Sequence, residues 1–435
     1  MEKNNFRKIA AITLFESAVQ WYCFLLYGTA AGTVFHKVFF SQTGNGTTAL
    51  ILSYMSFAIG YIAGPFGAIF FGHIGDRKGR KVTMYASLLM MGISTSIIGI
   101  LPSAASAGVG VVIVLQLMRL AQCFGRGGTW GGGILMAYEN VPENKRSFYA
   151  AIPQIGLPIG FGLSSILIAV PTLLLPEDIF FTWGWRIPFL AAIILTLIVI
   201  RQKGEMMETE DYKKAQAKLE AEEAEGKKHK VGFIPMVKGY WKTLLLGCGT
   251  RWVDGTFYNI FIVWILSYCI NWLGMPLIQT YIITIIACIF KIPFTLFGGW
   301  CAQKLGNTRT FVIGALASAV LSIPTLKVIE LSKGNLAITI IGIVLGWSIA
   351  YNLIWAVISS LWSSYFETEV RYSGISFVYH VPSFLVAGMV PTICTLLINY
   401  GKGDTIYVGI YSTVVALISA ACALALKARH DRGEK

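Results

Sequence analysis

The sequence predicts an all-α membrane protein with twelve transmembrane helices in two pseudo-symmetric six-helix bundles. Only 13% of its 435 residues are charged, where a soluble domain has roughly 25%, and the mean hydropathy is +0.65. The apolar runs last about 20 residues or more, which is the length of a spanning helix and not of a barrel strand. In lipid every backbone amide must find a partner within its own segment, so helices are the expected solution.

Hydropathy places six spans on either side of one long polar stretch. The first six lie near 9–35, 50–73, 82–101, 109–136, 149–173 and 184–201. The second six lie near 242–270, 278–302, 309–328, 336–362, 371–398 and 405–427. The stretch between them is rich in Glu, Ala and Lys and has no apolar face for a core. We therefore predict an N-terminal half over 1–201, a cytoplasmic linker over 202–235 and a C-terminal half over 236–435.

The formal net charge of +13 comes from short loops and not from one basic face, which argues against a nucleic-acid partner. The even-numbered loops and both tails carry most of the Lys and Arg residues, as expected of cytoplasmic segments. We therefore expect an inner-membrane protein, surrounded by the lipid bilayer, with its N- and C-termini in the cytoplasm. The apolar run after Lys8 continues without a small-residue cleavage site, so it is a first span and not a signal peptide.

Enzymatic chemistry is not expected. The eight cysteines lie in apolar segments without the CxxC spacing of a metal or redox site, so we expect no disulfide, metal or cofactor. No nucleophile–base pair or phosphate loop is visible in the sequence. The glycine-rich run GRGGTWGGG lies within a hydrophobic span, whereas a dinucleotide-binding loop would follow a strand.

The segment between spans 2 and 3 carries the most specific signal. Residues 72–81 read GHIGDRKGRK and resemble the loop signature of the major facilitator superfamily. In such a loop an Asp and arginines can latch neighbouring helix ends, while glycines allow close packing. The resemblance implies the major facilitator fold and a gating role for Gly72, Asp76, Arg77, Gly79 and Arg80. A fainter copy at 298–309, GGWCAQKLGNTR, supports the repeated halves that alternating access needs.

Four further segments narrow the resemblance to the metabolite–proton symporter family. They are AVQWYCFLLYGTAA in span 1, LQLMRLAQCFGRGGTWGGGILMAYE in span 4, WGWRIPFL in span 6 and FETEVRYSGISF in span 11. This resemblance implies secondary active uptake of a metabolite driven by a proton gradient. The chain departs from the family at Gln20, Cys23 and Thr129, where acids are usual. Because a proton carrier needs a titrating group, these departures put the family's route of proton coupling in question.

Other residues are candidates for coupling. Glu16 lies one helical turn before Gln20 and is either a coupling acid or a residue at the cytoplasmic end of span 1. Arg251 and Asp254 are three residues apart in span 7, close enough to pair on a helix. Asp254 is then either a partner in a structural ion pair or a titrating group. Arg119 is either the family's structural and gating arginine or a member of the coupling set.

Cations are enriched near the expected midplane, where a charge normally faces a cavity or a partner. Arg126 lies in span 4 and Lys291 in span 8, and each either binds the solute, pairs with Asp254 or Glu16, or extends its charged end to the membrane interface. His380 in span 11 is either a satisfied interior histidine or a proton relay. The predicted substrate site combines cations with polar and aromatic side chains near mid-span: Gln20, Tyr27, Arg126, Thr129, Trp130, Gln154, Tyr258, Lys291, Asn352, Trp355, Tyr379 and His380.

The loss of acids together with the gain of cations predicts a secondary transporter for a small organic anion, a mono- or dicarboxylate. Arg126 and Lys291, from opposite halves, would neutralise it. The coupling is open between proton symport through Asp254, Glu16 or His380, anion exchange and uniport. We expect a monomer, because a two-half carrier holds its pathway within one chain.

Three other functions remain as alternatives. A zwitterionic osmolyte symporter is disfavoured because only about eight residues follow span 12, where such carriers tend to have an extended tail. A transporter-like membrane sensor would suit the missing acids, although the sequence has no added signalling domain. A multidrug exporter is disfavoured because such pumps usually depend on intramembrane acids.

Overall fold

The structure is a computed structural model that describes residues 3–43, 45–78, 80–139, 146–203, 233–367 and 370–434. Within these ranges the chain forms helices and no strand. Nearly all of the predicted linker over 202–235 lies outside the described residues. The division into halves over 1–201 and 236–435 therefore stays a prediction.

The N-terminal half contains helices α1 to α6. Helix α1 runs through Lys3–Ala30, Ala31–Phe35 and His36–Val38, α2 is Gly46–Lys78, α3 is Arg80–Ile100 and α4 is Gly110–Glu139. Helix α5 runs through Arg146–Ala150, Pro153–Ile155 and Gly156–Leu174, and α6 through Glu177–Ile179, Phe180–Gly184 and Arg186–Lys203. Short helical turns at Ser41–Thr43 and Ala104–Ala107 lie in two of the connections.

The C-terminal half contains helices α7 to α12. Helix α7 runs through Phe233–Asn259, Ile260–Trp264 and Ile265–Asn271, α8 is Leu277–Leu305 and α9 is Asn307–Leu331. Helix α10 runs through Leu336–Ile343, Val344–Ala350 and Asn352–Tyr365. Helix α11 runs through Arg371–His380, Phe384–Gly388 and Val390–Tyr400, and α12 is Ile406–Asp431.

The predicted fold class is confirmed, since each predicted span falls on one of these twelve helices. Most helices extend a few residues beyond the predicted span, because a helix can continue past the apolar layer into polar surroundings. Nine helices in the described ranges are long and apolar enough to cross a membrane by length and composition. Helix α4 is not among them, and it carries Arg119, Gln122 and Arg126 in its interior. Its polar residues already set it apart from an ordinary spanning helix.

The two halves meet along two seams. Helix α5 packs against α8 and α10, and α2 packs against α11, while α1 approaches α7 between the seams. Tyr54 Oη donates to Ser267 Oγ at 2.6 Å, and Trp355 Nε1 donates to the Gln154 carbonyl at 3.0 Å. Hydrogen bonds therefore join the halves in both seams.

Glycines hold α4 close to α2, which fixes the helix that carries Arg119 and Arg126. A Cβ atom on Gly67 would collide with the Phe124 carbonyl, and one on Gly127 would collide with the Gly64 carbonyl. No larger residue fits these positions without separating the helices. The sequence GRGGTWGGG therefore contributes at Gly127 to helix packing.

Within the described ranges, five helices contain a π-helical turn, at Ala31–Phe35, Phe180–Gly184, Ile260–Trp264, Val344–Ala350 and Phe384–Gly388. A π-turn inserts an extra residue and rotates the side chains that follow it, and it often lies near functional sites. The turn in α10 directly precedes Tyr351 and Asn352, and the turn in α11 follows His380 by a few residues. These turns therefore influence which side chains face the interface between the halves.

Candidate functional site

A continuous series of side-chain contacts crosses the interface between the halves. It joins α4 of the N-terminal half to α7, α8, α10 and α11 of the C-terminal half, and all of its members are buried. We call this series the central polar chain, and its members in order of contact are Arg126, Tyr379, Arg251, Asp254, Tyr351 and Lys291.

Arg126 forms the N-terminal-half end of the chain. Its Nη2 donates to Tyr379 Oη at 2.5 Å, and its guanidinium carbon lies 3.7 Å from the centre of the Phe24 ring and 4.5 Å from that of Trp21. The side chain is buried and its Nε has no hydrogen-bond partner. In the described part of the chain, no carboxylate lies within ion-pair distance of Arg126. Its partners are neutral, so its positive charge is stabilised only by rings and a hydroxyl.

Arg251 and Asp254 form the ion pair that their spacing predicts, with Arg251 Nη1 donating to Asp254 Oδ2. Tyr351 Oη donates to the second carboxylate oxygen at 2.5 Å. The guanidinium of Arg251 lies 4.4 Å from the centre of the Tyr379 ring, which links the pair to Arg126. Both oxygens of Asp254 are therefore engaged within the C-terminal half. Removing one member of such a buried pair typically costs about 3–5 kcal/mol.

Lys291 forms the other end of the chain and is fully buried. Its Nζ donates to Asn352 Oδ1 at 2.9 Å, and Asn352 Nδ2 donates back to the Lys291 carbonyl at 2.8 Å. The Nζ atom lies 4.4 Å from the centre of the Tyr351 ring and 4.7 Å from that of Trp347. Among the described residues no carboxylate is within ion-pair distance of Nζ, although Asp254 is near enough to interact with this lysine electrostatically.

Arg119 is enclosed within the N-terminal half. Its guanidinium lies 4.4 to 4.6 Å from the ring centres of Tyr27, Phe24 and Phe57, and it donates to Gln122 Oε1. Gln122 Nε2 in turn donates to the Cys23 carbonyl at 2.9 Å and to Thr95 Oγ1 at 2.7 Å. The ring of Tyr27 therefore forms part of the enclosure around Arg119, while its hydroxyl bonds to Ser56.

Aromatic rings continue the interface beside Arg126. The ring of Trp21 lies 5.4 Å from that of Trp355 and 5.7 Å from that of Tyr258, measured between centroids. Gln154 Nε2 donates to the Trp355 carbonyl at 3.4 Å, so Gln154 joins the halves through this contact and through its own carbonyl. The Tyr258 hydroxyl is buried without a hydrogen-bond partner, so it can bond to a solute.

The other predicted substrate residues occupy different surroundings. Gln20 is buried with an unpartnered Nε2, while the Thr129 hydroxyl donates to the Arg126 carbonyl in its own helix at 3.1 Å. His380 packs on Tyr379 at 4.9 Å and faces Gly64, where an added Cβ would lie 2.8 Å from Nδ1. Its Nε2 has no partner. Glu16 is buried in α1 near Tyr85 of α3.

Several predictions fall outside what the structure describes. Gly79 lies in a gap between described ranges. The predicted roles of Gly72, Asp76, Arg77 and Arg80, and that of Trp130, depend on side chains that likewise lie outside the described set. The gating role of this segment therefore remains a prediction.

Trp21 and Phe24 contribute to the site although the sequence prediction omitted them, and Tyr351 contributes to it as well. Tyr351 contacts both Asp254 and Lys291. The rings of Trp21 and Phe24 pack against the guanidinium of Arg126. The sequence signal was weak, because aromatic residues are common throughout these spans. The partners of each ring lie on other helices, and only the fold brings them together.

The sequence comparisons agree with this architecture. A family model described as Major Facilitator Superfamily matches residues 10–391. The Inner membrane metabolite transport protein YhjE of Escherichia coli (strain K12) is 33% identical, over 98% of this chain and 96% of that protein. The Shikimate transporter of the same organism is 32% identical, over 96% of this chain and 94% of that protein.

A more distant relative and a solved structure complete the comparison. A Proline/betaine transporter of Salmonella typhimurium is 27% identical, over 99% of this chain and 85% of that protein. The solved proton:xylose symporter XylE, bound to 6-bromo-6-deoxy-D-glucose, aligns with a TM-score of 0.74 at 16% identity. The alignment covers 98% of this chain and 95% of that structure. At this identity the likeness concerns the fold alone.

Proposed function

This chain belongs to the major facilitator superfamily, and we propose that it carries a small organic anion, a mono- or dicarboxylate, by alternating access. It is a membrane transporter and not an enzyme. One observation carries the proposal: among the described residues, the side chains of Arg126 and Lys291, buried in opposite halves, donate hydrogen bonds only to the neutral side chains of Tyr379 and Asn352, and Arg126 Nε donates none. A buried cation without a counter-ion is unfavourable. An anionic solute would supply the missing charge.

The chemistry of Arg126 suits a carboxylate. A guanidinium can hold a carboxylate through two parallel hydrogen bonds, and the buried Nε of Arg126 has no partner. Tyr379 is the neutral group that a solute oxygen would replace or join at Nη2. The rings of Trp21, Tyr258 and Trp355 lie beside this position and would set the shape of the solute.

Lys291 gives the C-terminal half a second point of attachment. Lys291 is connected to Arg126 by the contacts of the other four members of the central polar chain. A solute that displaces a side chain at one end therefore alters the contacts of the neighbouring member. A solute that contacts both halves favours the conformations in which the halves approach each other. Alternating access then requires the cross-half contacts of Tyr54 with Ser267 and of Gln154 with Trp355 to open in turn.

A zwitterionic osmolyte is the second candidate substrate class, because one relative is a proline/betaine transporter. Aromatic rings bind quaternary ammonium groups well, and the interface is rich in them. Here, however, the faces of Phe24 and Trp21 already carry the guanidinium of Arg126, and Asp254 is engaged by Arg251 and Tyr351. Arg126 Nε is free to donate to a carboxylate, whereas these two rings and Asp254, which could bind an ammonium group, are already engaged. This difference favours an anionic solute.

Coupling to protons is a separate question. Asp254, His380 and Glu16 are the titratable candidates, and His380 Nε2 is buried without a partner beside Tyr379. Uptake at fixed membrane potential, measured with and without a pH gradient, distinguishes proton symport from anion exchange and uniport. Alkalinisation of the outside medium with solute uptake would establish symport, whereas its absence would favour exchange or uniport.

We further infer an inner-membrane location with both termini in the cytoplasm and one pathway per monomer. The distribution of Lys and Arg over the loops supports the orientation, and the relative YhjE is described as an inner-membrane protein. The two halves of one chain enclose the whole central polar chain, which supports the monomer. Labelling of single cysteines at each end by a membrane-impermeant reagent in intact cells tests the orientation.

Counterflow in proteoliposomes tests the substrate class directly. The wild type should exchange labelled mono- or dicarboxylates from a panel that also contains betaine, proline and xylose. Arg126→Gln and Lys291→Gln should each lose this exchange, whereas Lys242→Gln, which removes an exposed lysine of α7, should retain it. Transport of a carboxylate at the normal rate by both central variants would refute the anion site.

A further inference from the structure

A large cavity lies at the end of the bundle where α1 ends and α2 begins. It has a volume of about 840 Å³ and is bordered by both halves, by α1 and α2 on one side and by α7 and α11 on the other. We call this cavity the vestibule. It is separate from the central polar chain, none of whose members is among its lining residues.

The lining of the vestibule is polar and aromatic. It contains the amides of Asn45, Asn271 and Asn399 and the rings of Trp264 and Trp272. Such a mixture of rings and hydrogen-bonding groups is typical of a small-molecule site. The cavity volume also falls within the ordinary range for such sites, roughly 300–1,000 Å³.

The electrostatics of the vestibule favour an anion. Lys37 and His36 lie in its lining, and among its described lining residues there is no carboxylate. Lys37 provides the positive charge of the lining. The first turn of the long helix α2, at Gly46 and Thr47, also borders the cavity and adds the positive end of a helix dipole.

Lys37 has one acidic neighbour outside the lining. Its Nζ lies 3.5 Å from Glu177 Oε1 and 4.2 Å from the centre of the Phe181 ring. Both members of this ion pair are exposed, at 52% and 80%, and exposed pairs contribute little. A solute carboxylate can therefore compete with Glu177 for Lys37.

The inner end of the vestibule is closed by a contact between the halves. Ser267, which lines the cavity, accepts a hydrogen bond from Tyr54 Oη at 2.6 Å. Tyr54 Oη also lies 3.4 Å from the Val263 carbonyl oxygen. A second contact between the halves is made by the hydroxyls of Thr33 and Tyr281, 3.2 Å apart. A solute in the vestibule is thus separated from the interior by hydrogen-bonded contacts between the halves.

We propose that the vestibule is a second, weaker binding site for organic carboxylates, where the solute rests before the contact between Tyr54 and Ser267 opens. The carboxylate binds Lys37 and the first turn of α2, and its apolar part packs on the tryptophan rings. The proposal rests on the proposed function for the class of solute. It differs from the central site in its residues, its exposure and its expected salt sensitivity.

The probe for this site is 4-fluorobenzoate, an aromatic carboxylate that fits the chemistry of the vestibule whether or not it is transported. Its binding to purified full-length protein is followed by fluorine NMR, with 4-fluorobenzamide as the neutral counterpart. Lys37→Gln should weaken the binding about fivefold, since Lys37 is half exposed. The loss should shrink as salt is raised, because exposed charges are screened. Lys402→Gln, at the same end of the bundle but outside the vestibule, is the matched control and should bind normally.

The double variant Arg126→Gln, Lys291→Gln separates the two sites. It should keep one weak, Lys37-dependent binding event for 4-fluorobenzoate while losing counterflow. The vestibule proposal would be overturned if the double variant showed no such binding and Lys37→Gln had no effect in the wild type. The central site would then still stand. Equal binding of the benzamide would overturn the vestibule proposal as well. A wild type that binds 4-fluorobenzoate at Lys37 but exchanges no carboxylate would instead refute the proposed function.

Discussion

The two halves of the molecule treat their buried cations differently. In the C-terminal half Arg251 is neutralised by Asp254, three residues away on the same helix. In the N-terminal half Arg119 is held by three rings and an amide oxygen, all within that half. Arg126 and Lys291 belong to neither class: Arg126 reaches across the interface with an Nε that has no partner, and Lys291 Nζ donates to the neutral side chain of Asn352. The comparison separates cations whose donors are satisfied within their own half from cations that still have room for an anionic partner.

The ion pair of the C-terminal half gives the largest expected effect on stability. Asp254→Asn leaves Arg251 buried without its counter-ion, so the free energy of unfolding should fall by about 3–5 kcal/mol. Thermal unfolding in detergent measures the loss, and adding Arg251→Gln should recover much of it. A stable Asp254→Asn variant that transports without proton movement would assign Asp254 to coupling instead of structure.

The two arginines of α4 should respond in opposite ways. Arg126→Gln should reduce transport about 30-fold or more, since a buried charged contact to the solute is worth about 2–5 kcal/mol. Arg119→Gln should lower stability more than Arg126→Gln, by about 2 kcal/mol, because Arg119 donates to Gln122 and the Phe57 carbonyl from all three guanidinium nitrogens, whereas Arg126 Nε has no partner. The two measurements are the unfolding temperature and the initial rate of uptake. A large loss of stability in Arg126→Gln with normal uptake would erase the distinction.

Asn352 offers a way to supply the counter-charge that Lys291 lacks. Asn352→Asp places a carboxylate at the atom that already accepts from Lys291 Nζ. It should compete with an anionic solute and raise the KM for uptake about tenfold. Thr295→Val, which removes another hydrogen bond to Asn352, is the uncharged control and should leave KM within about threefold. An unchanged KM in Asn352→Asp would remove Lys291 from the solute site.

Tyr379 should give the smallest effect. Tyr379→Phe removes the hydroxyl that accepts from Arg126 and keeps the ring under Arg251. Loss of one such hydrogen bond corresponds to about 1 kcal/mol, so KM should change about fivefold with little change in Vmax. Concentration-dependent uptake measures both. Complete loss of transport would show that the hydroxyl takes part in more than positioning Arg126.

Much of the fold followed from hydropathy, because lipid requires each span to satisfy its own backbone. The pairing of Arg251 with Asp254 was also predicted, since their spacing places them on one helical face. The π-turns were not, because they leave the hydropathy pattern unchanged. The enclosure of Arg119 by Tyr27, the contact of Gln154 with Trp355, and the bridge of Tyr351 between Asp254 and Lys291 all depend on side chains from different helices. Sequence spacing contains no information about those distances.

The most direct test of the central claim is counterflow of a labelled carboxylate by the wild type, Arg126→Gln and Lys291→Gln in the same proteoliposome preparation. Each variant should be folded, as judged by its unfolding temperature. We expect rapid exchange by the wild type and a loss of about 30-fold or more in both variants, with normal exchange by Lys242→Gln. Exchange of carboxylates at the wild-type rate by both variants, or exchange of betaine alone by the wild type, would contradict an organic anion held between Arg126 and Lys291.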